Sequence, residues 1–193
     1  MRIIAGSARG RQLAAFSGDG IRPTPDRVRE ALFSILYSRR GVLTGSKVLD
    51  LFAGSGALGI EALSRGAGSV IFVDSSRQAR DTIKDNLERC ALVTGSEILQ
   101  QDVWKSLPQV AVHGPFDLIF ADPPYGKEHA PRLLGECARL ELPGATGILV
   151  IETARHDEVP EQSGRLVCFD RRRYGLTMLH FFQADDGPGE ESA

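Results

Sequence analysis

The chain has 193 residues, 42% hydrophobic and 25% charged, which excludes general disorder and suits one domain with a core of its own. With no apolar run of 18 residues and no apolar stretch at its start, it is expected to lack a membrane span and a secretory signal. Three scattered cysteines and four dispersed histidines argue against a disulfide framework and a metal site, and suit a reducing cytoplasm. The net charge of −2 hides a division. Residues 1–47 carry nine basic and three acidic side chains, and residues 48–193 carry 14 basic and 22 acidic ones. That division suggests a basic patch for a polyanion on an otherwise acidic enzyme.

Residues 1–22 are rich in glycine and arginine (Arg9-Gly10-Arg11, Ser17-Gly18-Asp19-Gly20), which predicts an extended arm or hairpin turning near Gly18–Gly20. With too little apolar content for a core, the arm is expected to pack on the rest of the chain beside the active site. Pro23-Thr24-Pro25 opens a helix, with Thr24 as N-cap and Pro25 as first residue. Val28, Ala31, Leu32, Ile35 and Leu36 form one apolar face, and Arg27 and Arg29 fall off it, available to a partner.

From residue 47 strands and helices alternate. The strands are Val48–Phe52, Val70–Val73, Glu97–Gln101, Phe116–Ala121 and Gly147–Glu152, and helices are expected at about 58–65, around Ala79, Ile83 and Leu87, and at about 129–140. Arg165–Asp170 and Leu176–Phe182 read as a closing hairpin, and the acidic tail 185–193 as frayed. The alternation predicts an open, mostly parallel α/β sheet, in which ligands sit outside the carboxyl ends of the strands. Four strands end there in an acid or a glycine loop: Asp50 with Gly54 and Gly56, then Asp74, Asp102 and Asp122.

Gly54-Ser55-Gly56-Ala57-Leu58-Gly59, between a strand and a helix and with Asp74 20 residues beyond Gly54, fits a nucleotide-binding turn. Two features favour S-adenosylmethionine over a dinucleotide. Asp50 would repel a pyrophosphate but could act on an ammonium group. Asp122-Pro123-Pro124-Tyr125 ends the fourth strand, and its chemistry suits an exocyclic amine whose lone pair is delocalised into a ring. Asp122 and the Pro123 carbonyl can accept the two N–H hydrogens, the prolines hold the loop rigid, and Tyr125 can stack on the base.

These motifs, with Arg2-Ile3-Ile4-Ala5-Gly6 and Arg22-Pro23-Thr24-Pro25-Asp26-Arg27-Val28-Arg29-Glu30-Ala31-Leu32-Phe33, resemble class I methyltransferases. More narrowly they resemble the RsmD family of 16S ribosomal RNA guanine-N2 methyltransferases. The resemblance implies a Rossmann-like, mostly parallel seven-stranded sheet with a C-terminal antiparallel hairpin. It implies a basic RNA-contacting unit at 1–40 and a methyltransferase domain at 41–184; a cytoplasmic monomer is the expectation for the chain. S-adenosylmethionine would be held by Asp50, Phe52, Ala53, Gly54, Ser55, Gly56, Asp74, Ser75, Asp102 and Val103, with Asp74 on the ribose hydroxyls and Asp102 on the adenine amine. Asp122, Pro123, Pro124 and Tyr125 would be catalytic, without a metal. The target would be a guanine (position 966) of 16S ribosomal RNA in the small subunit, gripped by Arg9, Arg11, Arg22, Arg27 and Arg29. Asp74 stands where the family often has Glu. Adenine-N6 methylation of DNA or RNA, a nicotinamide-dependent oxidoreductase and a non-catalytic ribosome-binding module are the alternatives.

Overall fold

The computed structural model describes residues 1–15, 25–124 and 128–185. The expected turn near Gly18–Gly20, Thr24 and the tail beyond Asp185 lie outside them. Along the chain run α1 (Asp26–Arg40), β1 (Lys47–Leu51), α2 (Ala57–Ser64), β2 (Ser69–Asp74), α3 (Arg77–Cys90), β3 (Ser96–Gln100), α4 (Val103–Ala111), β4 (Phe116–Ala121), α5 (His129–Arg139), β5 (Pro143–Ala154), β6 (Gln162–Ser163), β7 (Leu166–Tyr174) and β8 (Thr177–Ala184).

The strands form one sheet in the order β3-β2-β1-β4-β5-β8-β7-β6. The first five are parallel, and β8, β7 and β6 complete it antiparallel. The expected seven strands are thus joined by an eighth, the two-residue β6. Strand order reverses between β1 and β4, and this opens a crevice at their carboxyl ends.

Alternation along each strand splits the core in two. Val48, Val70, Phe72, Leu118, Phe120 and Val150 face α1, α2 and α3, packing on Leu32, Phe33, Ile60 and Ile83. Leu49, Leu51, Ile71, Ile119 and Ile151 face α4 and α5, packing on Val103, Leu107, Leu133 and Leu134. The helix at 103–111 is not among those expected from the sequence. Val103, Leu107 and Val110 make one there despite Pro108, because nine residues need few i→i−4 bonds and their apolar stripe is buried.

One local expectation is corrected. Pro25 is the N-cap of α1 rather than its first residue, with ψ at 148°. The arm turns at Gly6–Gly10: Arg2 bridges Gln12, and the Gly10 N–H donates to the Ile3 carbonyl. Gly6 is required there, since at φ 85° a Cβ would lie 1.7 Å from the Ser64 carbonyl oxygen. Ile3, Ala8 and Leu13 bury themselves on the α1–α3 face, so the arm shares the main core. No helix among the described residues is long and apolar enough to cross a membrane.

Candidate active site

The turn from β1 into α2 holds three left-handed residues. Phe52, Gly54 and Gly56 have φ of 56°, 53° and 72°. For glycine this conformation is free; for Phe52 it costs on the order of 1 kcal/mol and persists only where the surroundings enforce it. Asp50, on the buried strand before the turn, accepts a hydrogen bond of 2.9 Å from the Gly59 N–H. Burial pushes its carboxyl up to about 8, the Gly59 bond opposes the rise, and the nearby Asp74 charge adds to it. Asp50 therefore commits one oxygen to the first turn of α2 rather than presenting a free carboxylate.

Asp74, at the end of β2, ties the glycine turn in place. One oxygen accepts the Gly54 N–H at 2.9 Å and the other the Ser76 N–H at 2.9 Å. Each carboxylate oxygen keeps a further lone pair for a ligand hydroxyl. Ser75 beside it is exposed. Asp102, one residue after the Gln101 that follows β3, is the N-cap of α4, accepting the Lys105 N–H at 3.1 Å. Its neighbour Val103 is buried in the core.

Asp122 ends β4 on the other side of the crevice from the glycine turn. Burial raises its carboxyl well above the ordinary range, and the charges of Glu152 and Asp50 raise it further. Pro123 is buried and Pro124 exposed, and Tyr125 lies outside the described residues. Register explains the neighbour: Ala121 pairs with Ile151, so Glu152 stands level with Asp122 on the next strand. Sequence reasoning misses Glu152 as a site residue, although it closes the expected strand Gly147–Glu152 in an acid, as the nominated acids close theirs; β5 itself runs on to Ala154.

A second missed feature is a column of rings over this edge. Phe52 meets Trp104 edge-on at 5.9 Å, Trp104 stacks on His129 at 5.9 Å, and the Arg132 guanidinium lies 4.1 Å from the Trp104 ring centre. It links the glycine turn, the start of α4 and the start of α5.

Arg29, Arg9 and Arg11, three of the five nominated arginines, are not at this edge. Arg29 is fully buried: it donates to the Arg2 carbonyl at 2.6 Å and to Asp26 at 2.7 Å, and it lies 3.9 Å from Glu61 of α2. It holds the arm and α1 to α2 and is corrected from a substrate contact to a structural one. Glu61 also accepts the Ile4 and Ala5 N–H groups and Arg65. Arg9 and Arg11 are exposed but sit at the wrong end. The Ser7 N–H binds the carbonyl of Ser64 at the end of α2, and Arg11 binds the carbonyl of Arg89 near the end of α3. From Arg77 to Arg89 is about 18 Å of helix leading away from the strand carboxyl ends. Arg27 is exposed on the first turn of α1, and Arg22 lies outside the described residues.

A parallel sheet switching between β1 and β4, a glycine turn after β1, acids closing β2 and β4 and an antiparallel strand beyond β5 define a class I methyltransferase. The solved structure of the Escherichia coli protein yhhF superposes with a TM-score of 0.80 at 28% identity, over 96% of this chain and 98% of that one. The family model described as "Conserved hypothetical protein 95" matches residues 1–183, and the chain belongs to that family, the RsmD family. YlbH of Bacillus subtilis is 40% identical over 95% of this chain and 98% of its own length. The ribosomal RNA small subunit methyltransferase D of Haemophilus influenzae is 41% identical over 127 residues, 65% of this chain and 64% of that one.

Proposed function

We propose that this methyltransferase moves the methyl group of S-adenosylmethionine to the exocyclic N2 of a guanine in small-subunit ribosomal RNA. The observation that carries the reading is the crevice itself, with the glycine turn and Asp74 on one side and Asp122-Pro123 on the other. The donor set suits the cofactor: its ribose hydroxyls, amines and ammonium all donate hydrogens, and acids line this edge. A dinucleotide suits it less well, because the Gly59 N–H at the start of α2, where a pyrophosphate would sit, is already bonded to Asp50. Bound S-adenosylmethionine supplies a methyl group already activated on sulfonium.

The chain supplies position and proton handling. Asp122 and the Pro123 carbonyl accept the two amine hydrogens, which turns the nitrogen lone pair toward the methyl carbon. As the N–C bond forms and the S–C bond breaks, the amine gives up one proton. Ionised Asp122 takes it, and a carboxyl held high by burial and like charges keeps it readily. Activity should therefore rise with pH through an apparent pKa above the ordinary carboxylate range. The ribosomal RNA substrate is favoured over DNA by the relatives above.

The test is methyl transfer from labelled S-adenosylmethionine to small ribosomal subunits, free small-subunit RNA and DNA, followed by nucleoside analysis. N2-methylguanine in the ribosomal RNA is expected. Label in N6-methyladenine would replace the substrate assignment, and no label in any of them would end it. Asp122→Ala should lower turnover by roughly 10²–10³ with cofactor affinity nearly unchanged by calorimetry.

A further inference from the structure

Of the arginines nominated for RNA, Arg29 is buried and Arg9 and Arg11 lie at the far ends of α2 and α3, yet the crevice edge carries others. The β7–β8 hairpin turns at Tyr174-Gly175-Leu176, and β8 is antiparallel to β5, so the tip projects at the same edge as Asp122. Glu152 is level with Asp122, Ala154 pairs with Thr177, and the Arg155 N–H donates to the Leu176 carbonyl at 2.8 Å. At about 3.3 Å per residue and 4.8 Å per strand, the tip stands about 10 Å outward and about 10 Å sideways from Asp122.

Some of its charges are paired and some are not. Arg171 is paired with Glu161, and Arg172 with Asp170. Arg155 and Arg173 are exposed and have no side-chain partner among the described residues. Of the acids on the adjoining turn, Asp157 is folded back onto the Ala154 N–H. Between the two free arginines, Leu176 is 67% exposed, an apolar tip on a hairpin that needs Gly175 at φ 65°.

We infer that this tip is an RNA-docking element, with Arg155 and Arg173 on backbone phosphates next to the target nucleotide and Leu176 against an exposed base face. The inference rests on RNA being the substrate. Two unpaired guanidinium groups at this distance from the reacting edge match a polyanion, and an apolar side chain between them matches the base faces that RNA exposes where it is unstacked.

Direct binding of a small-subunit RNA fragment to the full chain, measured across salt concentrations, tests it. Arg155→Ala/Arg173→Ala should lower the log–log salt slope by about 0.7 for each phosphate of single-stranded RNA left without its arginine. Arg155→Lys/Arg173→Lys should restore the slope. Cofactor binding and Tm should match wild type in both, because neither residue packs in the core. Leu176→Ser should weaken binding with the slope unchanged. A double alanine variant with wild-type affinity and slope overturns the docking element, and wild-type affinity in Leu176→Ser removes the apolar contact from it. A wild type that binds RNA and methylates none of it overturns the proposed function alone.

Discussion

The two ends of the sheet handle charge in opposite ways. At the amino end and under the arm, acids are matched by arginines: Asp117 with Arg40, Asp85 with Arg89, and Glu61 with Arg65 and Arg29. At the carboxyl end Asp50, Asp74 and Asp102 are held by backbone N–H groups. No lysine or arginine pairs with them or with Asp122 among the described residues. Paired charges hold elements together. Acids held only by N–H groups keep lone pairs for a ligand that brings hydrogens and positive charge, at the cost of burial, with some like-charge repulsion added, that shows in the raised carboxyls of Asp50 and Asp122.

Breaking the paired end should have the largest effect on stability. Glu61→Ala leaves Arg29 buried without one of its acids and frees two N–H groups of the arm. A loss of about 3–5 kcal/mol is expected by chemical denaturation. A loss below about 1 kcal/mol would mean that the arm is anchored by its apolar residues alone.

At the unpaired end, Asp74→Ala should weaken S-adenosylmethionine binding by about 1.5–3 kcal/mol in calorimetry, the scale of hydrogen bonds to a charged acceptor. Unchanged affinity would reduce Asp74 to a brace for the glycine turn. Asp50→Asn sharpens the contrast through pH. The carboxyl of Asp50 is raised from 3.8 to about 8 on folding, so its contribution to stability is present below about pH 4 and lost as pH rises toward 8. An amide cannot ionise, so the variant should gain on wild type in urea midpoint between pH 5 and 8. A gap constant with pH would contradict the burial of an ionisable group. The smallest effect belongs to a paired but exposed site: Arg2→Ala, across 3.8 Å from Asp26, should cost under about 1 kcal/mol in the same measurement.

What can be read from the sequence is what depends on neighbours along the chain. Apolar runs ending in Asp or Gly locate the strands and the crevice, because a buried strand must end where a polar residue can meet solvent or a ligand. What escapes depends on partners distant in sequence. Arg29 lies off the apolar face of α1 by spacing, yet Glu61 on another helix makes its burial tolerable. The turn at Gly6–Gly10 sits where the Ser64 carbonyl receives the arm, a partner distant in sequence. Glu152 joins the site only through the β4–β5 register, and Pro108 obscures α4, whose apolar spacing is present.

Trp104 is the only tryptophan in the chain, so the molecule carries a single native indole fluorophore at its working edge. Its ring touches Phe52 of the glycine turn on one side and His129, which opens α5, on another. Movement of the glycine turn or of α5 changes the surroundings of that one indole. Its emission spectrum and lifetime therefore track ligand arrival on either side of the crevice in unlabelled protein, and stopped-flow fluorescence can order the two arrivals.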